Sequence, residues 1–246
     1  MSSSLDTRIS ALVHSLGADH YGVADLTPAR DFVIAQGGKR AGRYPRAVVA
    51  GIRVLDNIVE LLPEKDRAVS ILYRHATYDV VNGALDQIAL RVANTLQREG
   101  YAALPIPASK RTDEEHICGP FSQKLGAHMA GLGWIGKSCL LVTQDHGPRV
   151  RWVNVLTDAP LDPTGSPMEP RCGKCTACVD ICPVQAFTGR AFSPDEPREA
   201  RFDAAACDRY YKEIEKETGF AGVCGLCLWV CPHGRKAGRK TRKKPQ

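Results

Sequence analysis

Ten cysteines stand in this chain, and the spacing of eight of them constrains the fold more than any other feature. Cys172, Cys175 and Cys178 follow at three-residue steps, Cys182 comes four residues later, and Pro183 follows it. A tight loop of this kind aims three thiolates at one [4Fe–4S] cube, and the cysteine before the proline reaches a second cube. The spacing therefore calls for a second set of thiols, and the chain has one. Cys224, Cys227 and Cys231 repeat the C-x2-C-x3-C-P ending before Pro232, and Cys207 lies upstream. We assign Cys172, Cys175, Cys178 and Cys231 to one cluster, and Cys182, Cys207, Cys224 and Cys227 to the other. Exchanged fourth ligands lock the two halves into one ferredoxin-like unit.

Two structural zincs would want paired C-x2-C knuckles, which this run is not. Disulfides suit a short secreted scaffold, and the chain is long, without a basic and then apolar leader at its start. No ligand is missing, which argues against a [3Fe–4S] form.

A chain of 246 residues with 43% hydrophobic and 24% charged residues can bury one large core or two smaller ones. No apolar run approaches the ~20 residues of a membrane helix. Thiolate chemistry needs a reducing compartment, so the expected location is the cytoplasm, with no membrane partner. The net charge of +6 comes from the end of the chain, where residues 235–246 carry seven Lys or Arg and no acid. This basic tail is expected to be disordered and solvated. A nucleic-acid contact through it is the alternative, although no aromatic residue interleaves the charges.

Hydrophobic periodicity predicts a helix over 5–15, ended by Gly17, and a short strand over 21–24. Residues 27–44 read as loop with one helical turn, because Gly37, Gly38 and Gly42 interrupt them. Residues 47–54 read as a central strand, 56–66 as a charged connection, and 68–73 as another strand. A long helix follows from about 80 to 99, with Gly100 at its C′ position. Residues 101–107 form a strand that Pro105 and Pro107 restrict to an edge. The segment 109–120 is dense in titratable groups and reads as a loop, where sites tend to lie. A short helix over 121–129, a glycine turn and a strand over 138–143 come next. Residues 149–156 read as its hairpin partner. The prolines of 161–171 mark a linker, and 204–217 reads as a helix carrying Cys207.

Gly131, Gly133 and Gly136 match G-x-G-x-x-G letter for letter. The dinucleotide fingerprint needs a strand before it and a helix after it, and here the order is helix, turn, strand. We reject nicotinamide-dinucleotide binding at this turn. Cys139 reads as a buried strand thiol and Cys118 as either core or site-lining. Trp229 and Leu228 shield a cluster from water.

The stretch from Gly126 through Gly131-Leu-Gly-Trp-Ile-Gly-Lys137 to Val142, followed by Cys172-Gly-Lys-Cys-Thr-Ala-Cys178, resembles the epoxyqueuosine reductases. These are cobalamin-dependent [4Fe–4S] enzymes of tRNA queuosine biosynthesis, related to reductive dehalogenases. Tyr78 ahead of the long helix, and the residues around Cys207, extend the resemblance to about residues 5–233.

The resemblance implies an α/β (α+β) fold. A nitroreductase-like cobalamin-binding domain over 1–165 would precede a ferredoxin-like double [4Fe–4S] domain over 166–234, with the basic tail over 235–246. It implies cobalamin, or FMN as the alternative, with Gly131, Gly133, Trp134, Gly136 and Lys137 as cofactor-binding residues. Electrons would come from an external low-potential donor such as a ferredoxin or flavodoxin, and go to a small-molecule or tRNA-linked substrate. An electron-transfer protein serving a partner enzyme is the alternative. This would be a short form, without the family's C-terminal helical repeat domain. The family's proton-donating aspartate, counted back thirteen residues from Ala130, falls on Ile117, which holds no proton to give. Cys118, Glu115 and His116 are the neighbours that could replace it. The residues that contact cobalamin in the N-terminal region are not matched, and the catalytic residues stay open.

Overall fold

The computed structural model describes residues 4–219 and 222–235. The basic tail expected beyond Arg235 lies outside the described residues. In chain order the elements are α1 (Ser4–Ser15), β1 (His20–Asp25), α2 (Arg30–Ala41), β2 (Arg46–Arg53), α3 (Asp56–Leu61), α4 (Arg67–Arg74) and α5 (Val81–Arg98). Then come β3 (Ala103–Ile106), α6 (Gln123–Met129), β4 (Trp134–Ile135), β5 (Leu141–Val142), β6 (Val150–Thr157), α7 (Ala177–Asp180), α8 (Ala204–Thr218) and α9 (Leu226–Trp229). They divide into two compact units. Among the described residues, the first comprises 4–53, 80–132 and 151–168, and the second 54–79, 133–150, 169–219 and 222–235.

The first unit is built on a four-stranded sheet in the order β1-β2-β6-β3. β1 runs antiparallel to β2 from His20 opposite Gly51 to Asp25 opposite Arg46, and those last two side chains form an ion pair at 2.7 Å. β2 is interior, as its apolar run predicts. β3 is an edge strand, where Pro105 opposite Val155 costs no ladder bond to a further strand. Helix α5 lays Leu85, Ile88, Ala89, Val92 and Leu96 on the sheet, and α1 adds Leu5, Ile9 and Val13. Each of the buried Leu, Ile and Val side chains contributes roughly 1.5–3 kcal/mol. α5 ends as its sequence requires. Gly100 takes φ +88°, its N–H reaches the Gln97 carbonyl at 3.0 Å, and the Tyr101 N–H reaches Leu96 at 3.1 Å.

Residues 27–44 correct the sequence reading. They hold a 3-10 turn and the 12-residue helix α2, kinked where Gly38 takes φ +71°. The glycines that argued for a loop serve close approach instead, since a Cβ on Gly37 would lie 2.2 Å from the Pro120 carbonyl oxygen.

In the second unit, residues 68–73 are helix α4, not a strand. Asp66 caps it, accepting the Val69 N–H at 2.8 Å. Val69 and Tyr73 lie one turn apart, both buried in a core with Val54, Val59, Leu62, Val223 and Leu228. A π-helical turn, His75–Val80, follows. The hairpin is also corrected. β5 pairs with β4, Trp134 opposite Val142, whereas β6 joins the four-stranded sheet of the first unit. The Thr143–Gly147 bridge closes the turn after β5, with Gly147 at φ +57°. α8 forms as expected, capped by Asp203, which accepts the Ala206 N–H at 2.8 Å.

Among the described residues no helix is long and apolar enough to cross a membrane.

Candidate metal centre

All eight cysteines of the two half-motifs fall in the second unit. In the first half-motif, Gly173 at φ +52° and the Cys175 N–H bond to the Cys172 carbonyl at 3.0 Å make a tight loop. α7 then carries Cys178, and the Ala186 N–H donates to the Cys182 sulfur at 3.3 Å. In the second half-motif, Gly225 at φ +67° opens α9, which carries Cys227. A Cβ there would lie 2.8 Å from Leu62 Cδ1 and 3.4 Å from the Tyr73 ring, so glycine lets this loop seat on the core. Cys207 comes from α8.

The electrostatics show which thiols lie together. Burial pushes the Cys178 thiol up to about 11, and the charges of Cys172, Cys231 and Cys175 add to it. Cys231 is raised by burial, opposed by the N–H groups of His233 and Gly234, and raised again by Cys172 and Cys175. Cys207 is pushed up to about 11 by burial, against a hydrogen bond from Tyr211, with Cys224 and Cys182 adding. Cys224 is raised by burial, opposed by the Leu226 N–H, with Cys182 adding. Cys227 is raised furthest, by burial and then by Cys224, Cys207, Cys178 and Cys182. The charges of Cys172 and Cys175 thus act on Cys178 and Cys231, those of Cys182 and Cys224 act on Cys207 and Cys227, and Cys178 also acts on Cys227.

This donor set fits two iron–sulfur clusters. Each assigned set offers four sulfurs, together with N–H groups aimed at sulfur. Burial holds the thiols of Cys178, Cys207, Cys224, Cys227 and Cys231 above their ordinary pKa, so iron binds these five by displacing protons. Among the described residues no three His, Cys, Asp or Glu close on a site for a single ion.

The five residues of the glycine turn divide between the units. Gly131 belongs to the first, and Gly133, Trp134, Gly136 and Lys137 to the second. Protein atoms close around the glycines. A Cβ on Gly131 would meet Ser166 at 3.0 Å, one on Gly133 the Val142 carbonyl at 2.4 Å, and one on Gly136 Val142 Cγ2 at 2.9 Å. Lys137 donates to the Gly173 and Cys175 carbonyls at 2.9 and 3.2 Å, so it braces the first cluster loop. Trp134 is buried edge-on against His233, and its indole N–H has no hydrogen-bond partner among the described residues. Of the five, Trp134 alone holds a buried donor left over for a bound group.

Sequence reasoning missed a network behind the second half-motif. Arg149 is fully buried, pairs with Asp56 at 3.1 Å and Glu60 at 2.7 Å, and donates to the Trp229 carbonyl at 3.4 Å. The Trp229 indole N–H in turn donates to Glu60 at 3.1 Å. The signal available in the sequence was Arg149 itself, at the start of an apolar strand. Cys139 is buried, as read, but it lies in the turn before β5 at φ +53° rather than in a strand, and its sulfur accepts a hydrogen bond from Arg201 at 3.8 Å.

In the first unit, the 109–120 segment is a loop closed by the Asp113–Cys118 bridge. Ile117 takes φ +51°, a left-handed conformation strained for a β-branched residue. The Asp113 carboxylate accepts both the backbone N–H and ring Nδ1 of His116 at 2.8 Å, which holds its pKa below the ordinary carboxylate value.

The sequence comparisons agree with this architecture. Residues 171–234 match the 4Fe-4S double cluster binding domain. The chain is 29% identical over 230 residues to the epoxyqueuosine reductase of Pseudomonas aeruginosa, covering 84% of this chain and 58% of that protein. It is 27% identical over 250 residues to that of Aliivibrio fischeri, covering 93% and 60%. It therefore spans less than two thirds of these relatives. Among solved structures, an epoxyqueuosine reductase with an epoxyqueuosine-modified tRNA-Tyr stem loop superposes with a TM-score of 0.59 at 19% identity, covering 94% of this chain and 65% of that one. A reductive dehalogenase, described with B12-dependent dehalogenation, superposes with a TM-score of 0.67 at 22% identity, covering 96% and 33%.

The fold and the thiol groups define an α/β iron–sulfur protein with a double [4Fe–4S] cluster domain. Within that class, the chain is similar to the epoxyqueuosine reductases along most of its length.

Proposed function

We propose that this protein is an iron–sulfur oxidoreductase that passes electrons through two [4Fe–4S] clusters to cobalamin, for reduction of a small-molecule or tRNA-linked substrate. The observation that carries this reading is the electrostatic coupling among the eight thiols of the two half-motifs, in a chain similar to the epoxyqueuosine reductases. The ligands are Cys172, Cys175, Cys178 and Cys231 for one cluster, and Cys182, Cys207, Cys224 and Cys227 for the other. Bound cobalamin would supply low-potential cobalt chemistry, the hard part of such a reduction.

The chain's own residues supply the setting. Lys137 holds the first cluster loop by its carbonyls, and Trp134 offers its indole N–H to the bound group. Leu228, buried in the core, keeps water from the second half-motif. An external low-potential donor, a ferredoxin or flavodoxin, would load the clusters, and the reducing cytoplasm would preserve them.

The test is anaerobic purification with hydroxocobalamin, followed by absorbance spectra and metal analysis. About eight irons per chain are expected for two cubes, with stoichiometric cobalt. Iron with flavin would redirect the reading to a flavin-dependent reductase. Iron without cobalt or flavin would redirect it to an electron carrier serving a partner enzyme.

A further inference from the structure

We propose that Arg201 is a buried counter-charge to the cluster held by Cys172, Cys175, Cys178 and Cys231, and that its guanidinium raises the reduction potential of that cluster. The inference rests on the two-cluster part of the function proposed above.

Arg201 follows the 3-10 turn Arg198–Ala200, and its backbone is held on both sides. Its N–H reaches the Arg198 carbonyl at 3.0 Å, and its carbonyl accepts the Thr188 N–H at 3.1 Å. The next residue, Phe202, bridges to Phe187, and the two rings stack at 5.1 Å. The arginine itself is only 5% exposed. Its guanidinium lies over the Phe192 ring at 4.8 Å, and Nη1 donates to the Cys139 sulfur at 3.8 Å. A cysteine sulfur is a weak acceptor, and an aromatic ring carries no net charge. Among the described residues the buried Nε has no hydrogen-bond partner, and no carboxylate forms an ion pair with Arg201.

Arg149, also buried, differs in this respect, because it pairs with Asp56 and Glu60. A guanidinium taken out of water without a counter-charge is strongly disfavoured. The contacts of Arg201 lead to a negative group. The Cys139 N–H donates to the Gly136 carbonyl at 2.9 Å, and a Cβ on Gly136 would lie 3.5 Å from the Cys172 sulfur. The guanidinium therefore stands against the turn that touches a ligand of the first cluster. A [4Fe–4S] cube held by four thiolates is net negative, and reduction adds one more negative charge. A fixed cation stabilises the reduced state more, and so raises the potential.

The test uses the anaerobically reconstituted full chain, with redox titrations followed by electron paramagnetic resonance. Cys175→Ala identifies the couple of the first cluster as the one it removes. In Arg201→Gln that couple should move to lower potential. At a fixed poise its reduced-to-oxidised ratio should fall about fourfold or more, the effect of one unit charge across roughly 20 Å at an effective dielectric constant near 20. Arg201→Lys restores the charge and should hold the couple close to its wild-type position. Arg190, whose side chain is 58% exposed and paired with Glu196, is the control, and both couples should stay in place in Arg190→Gln. If Arg201→Gln keeps its full iron and the couple stays, or if Arg201→Lys moves it as far as Arg201→Gln does, the inference fails. Should Arg201→Gln lose iron, citrulline at position 201 gives the decision. It is neutral and nearly the shape of arginine, so it must lower the couple, and an unmoved couple overturns the inference. Wild-type protein with well under about eight irons would defeat the two-cluster reading itself, whereas full iron with unmoved potentials defeats only the role of Arg201.

Discussion

The Lys137 ammonium donates to the Gly173 carbonyl at 2.9 Å, and reaches Cys175 as well, so the end of the glycine turn is tied to the backbone of the first cluster loop. The contact is solvent-exposed, and its contribution to global stability is small. Its effect is local. Lys137→Met should leave the denaturation midpoint nearly unchanged, while the cluster of Cys172, Cys175, Cys178 and Cys231 loses iron faster in air. Iron release followed over time should show a fast half and a slow half. Equal acceleration of both halves would refute the local role.

Cys231 lies with Cys172 and Cys175 rather than with its neighbours in sequence. Cys231→Ala should therefore strip or convert the cluster of Cys172, leaving about four irons in a cube held by Cys182, Cys207, Cys224 and Cys227. Metal analysis with electron paramagnetic resonance reads this directly, and survival of the Cys172 cluster instead would overturn the exchange of ligands.

Arg149 has no exposed side-chain surface, while its partners Asp56 and Glu60 are 18% and 49% exposed. Truncating the buried arginine leaves a void and two carboxylates without their cation, whereas removing charge from the half-exposed partner is milder. Arg149→Ala should cost about 3 kcal/mol, and Glu60→Gln under about 1 kcal/mol. Urea denaturation of both variants checks the ranking, which equal costs would contradict.

The Tyr21 hydroxyl is buried without a hydrogen-bond partner among the described residues. Burial, with the Asp6 charge added, pushes its pKa up to about 12 from an ordinary 10.0. A raised folded-state pKa means that the unfolded chain ionises first. The tyrosine's contribution is therefore full below pH 10 and is lost as pH climbs toward 12. Tyr21→Phe deletes an unpaired polar atom and should be neutral or stabilising at pH 7. It should also flatten the alkaline loss of stability, measured as urea midpoints at pH 7 and 11. A variant with the wild-type alkaline slope would disprove this account.

Some of this protein is written in short-range spacing and some is not. The two cysteine runs, the stripe of α5 with its Gly100 terminus, the buried run of β2 and the proline-limited edge strand β3 follow from patterns a few residues long. A fixed local geometry produces each of them. Residues 68–73 illustrate the limit. Val69 and Tyr73 fit a short strand or one helical turn equally well, and only the Asp66 cap and the core around Val59 and Leu228 select the helix. Likewise the partner of β5 is β4 rather than β6, because β6 is taken up by the sheet containing β2 and β3.

By itself, the sequence determined the chemistry of the metal centre, because thiol spacing within one loop limits what the loop can bind. Only the tertiary structure decided what surrounds it. The brace from Lys137 and the buried Arg149 behind Trp229 depend on which distant segments meet. No local pattern records that, because burial and hydrogen-bond geometry are properties of the assembled chain.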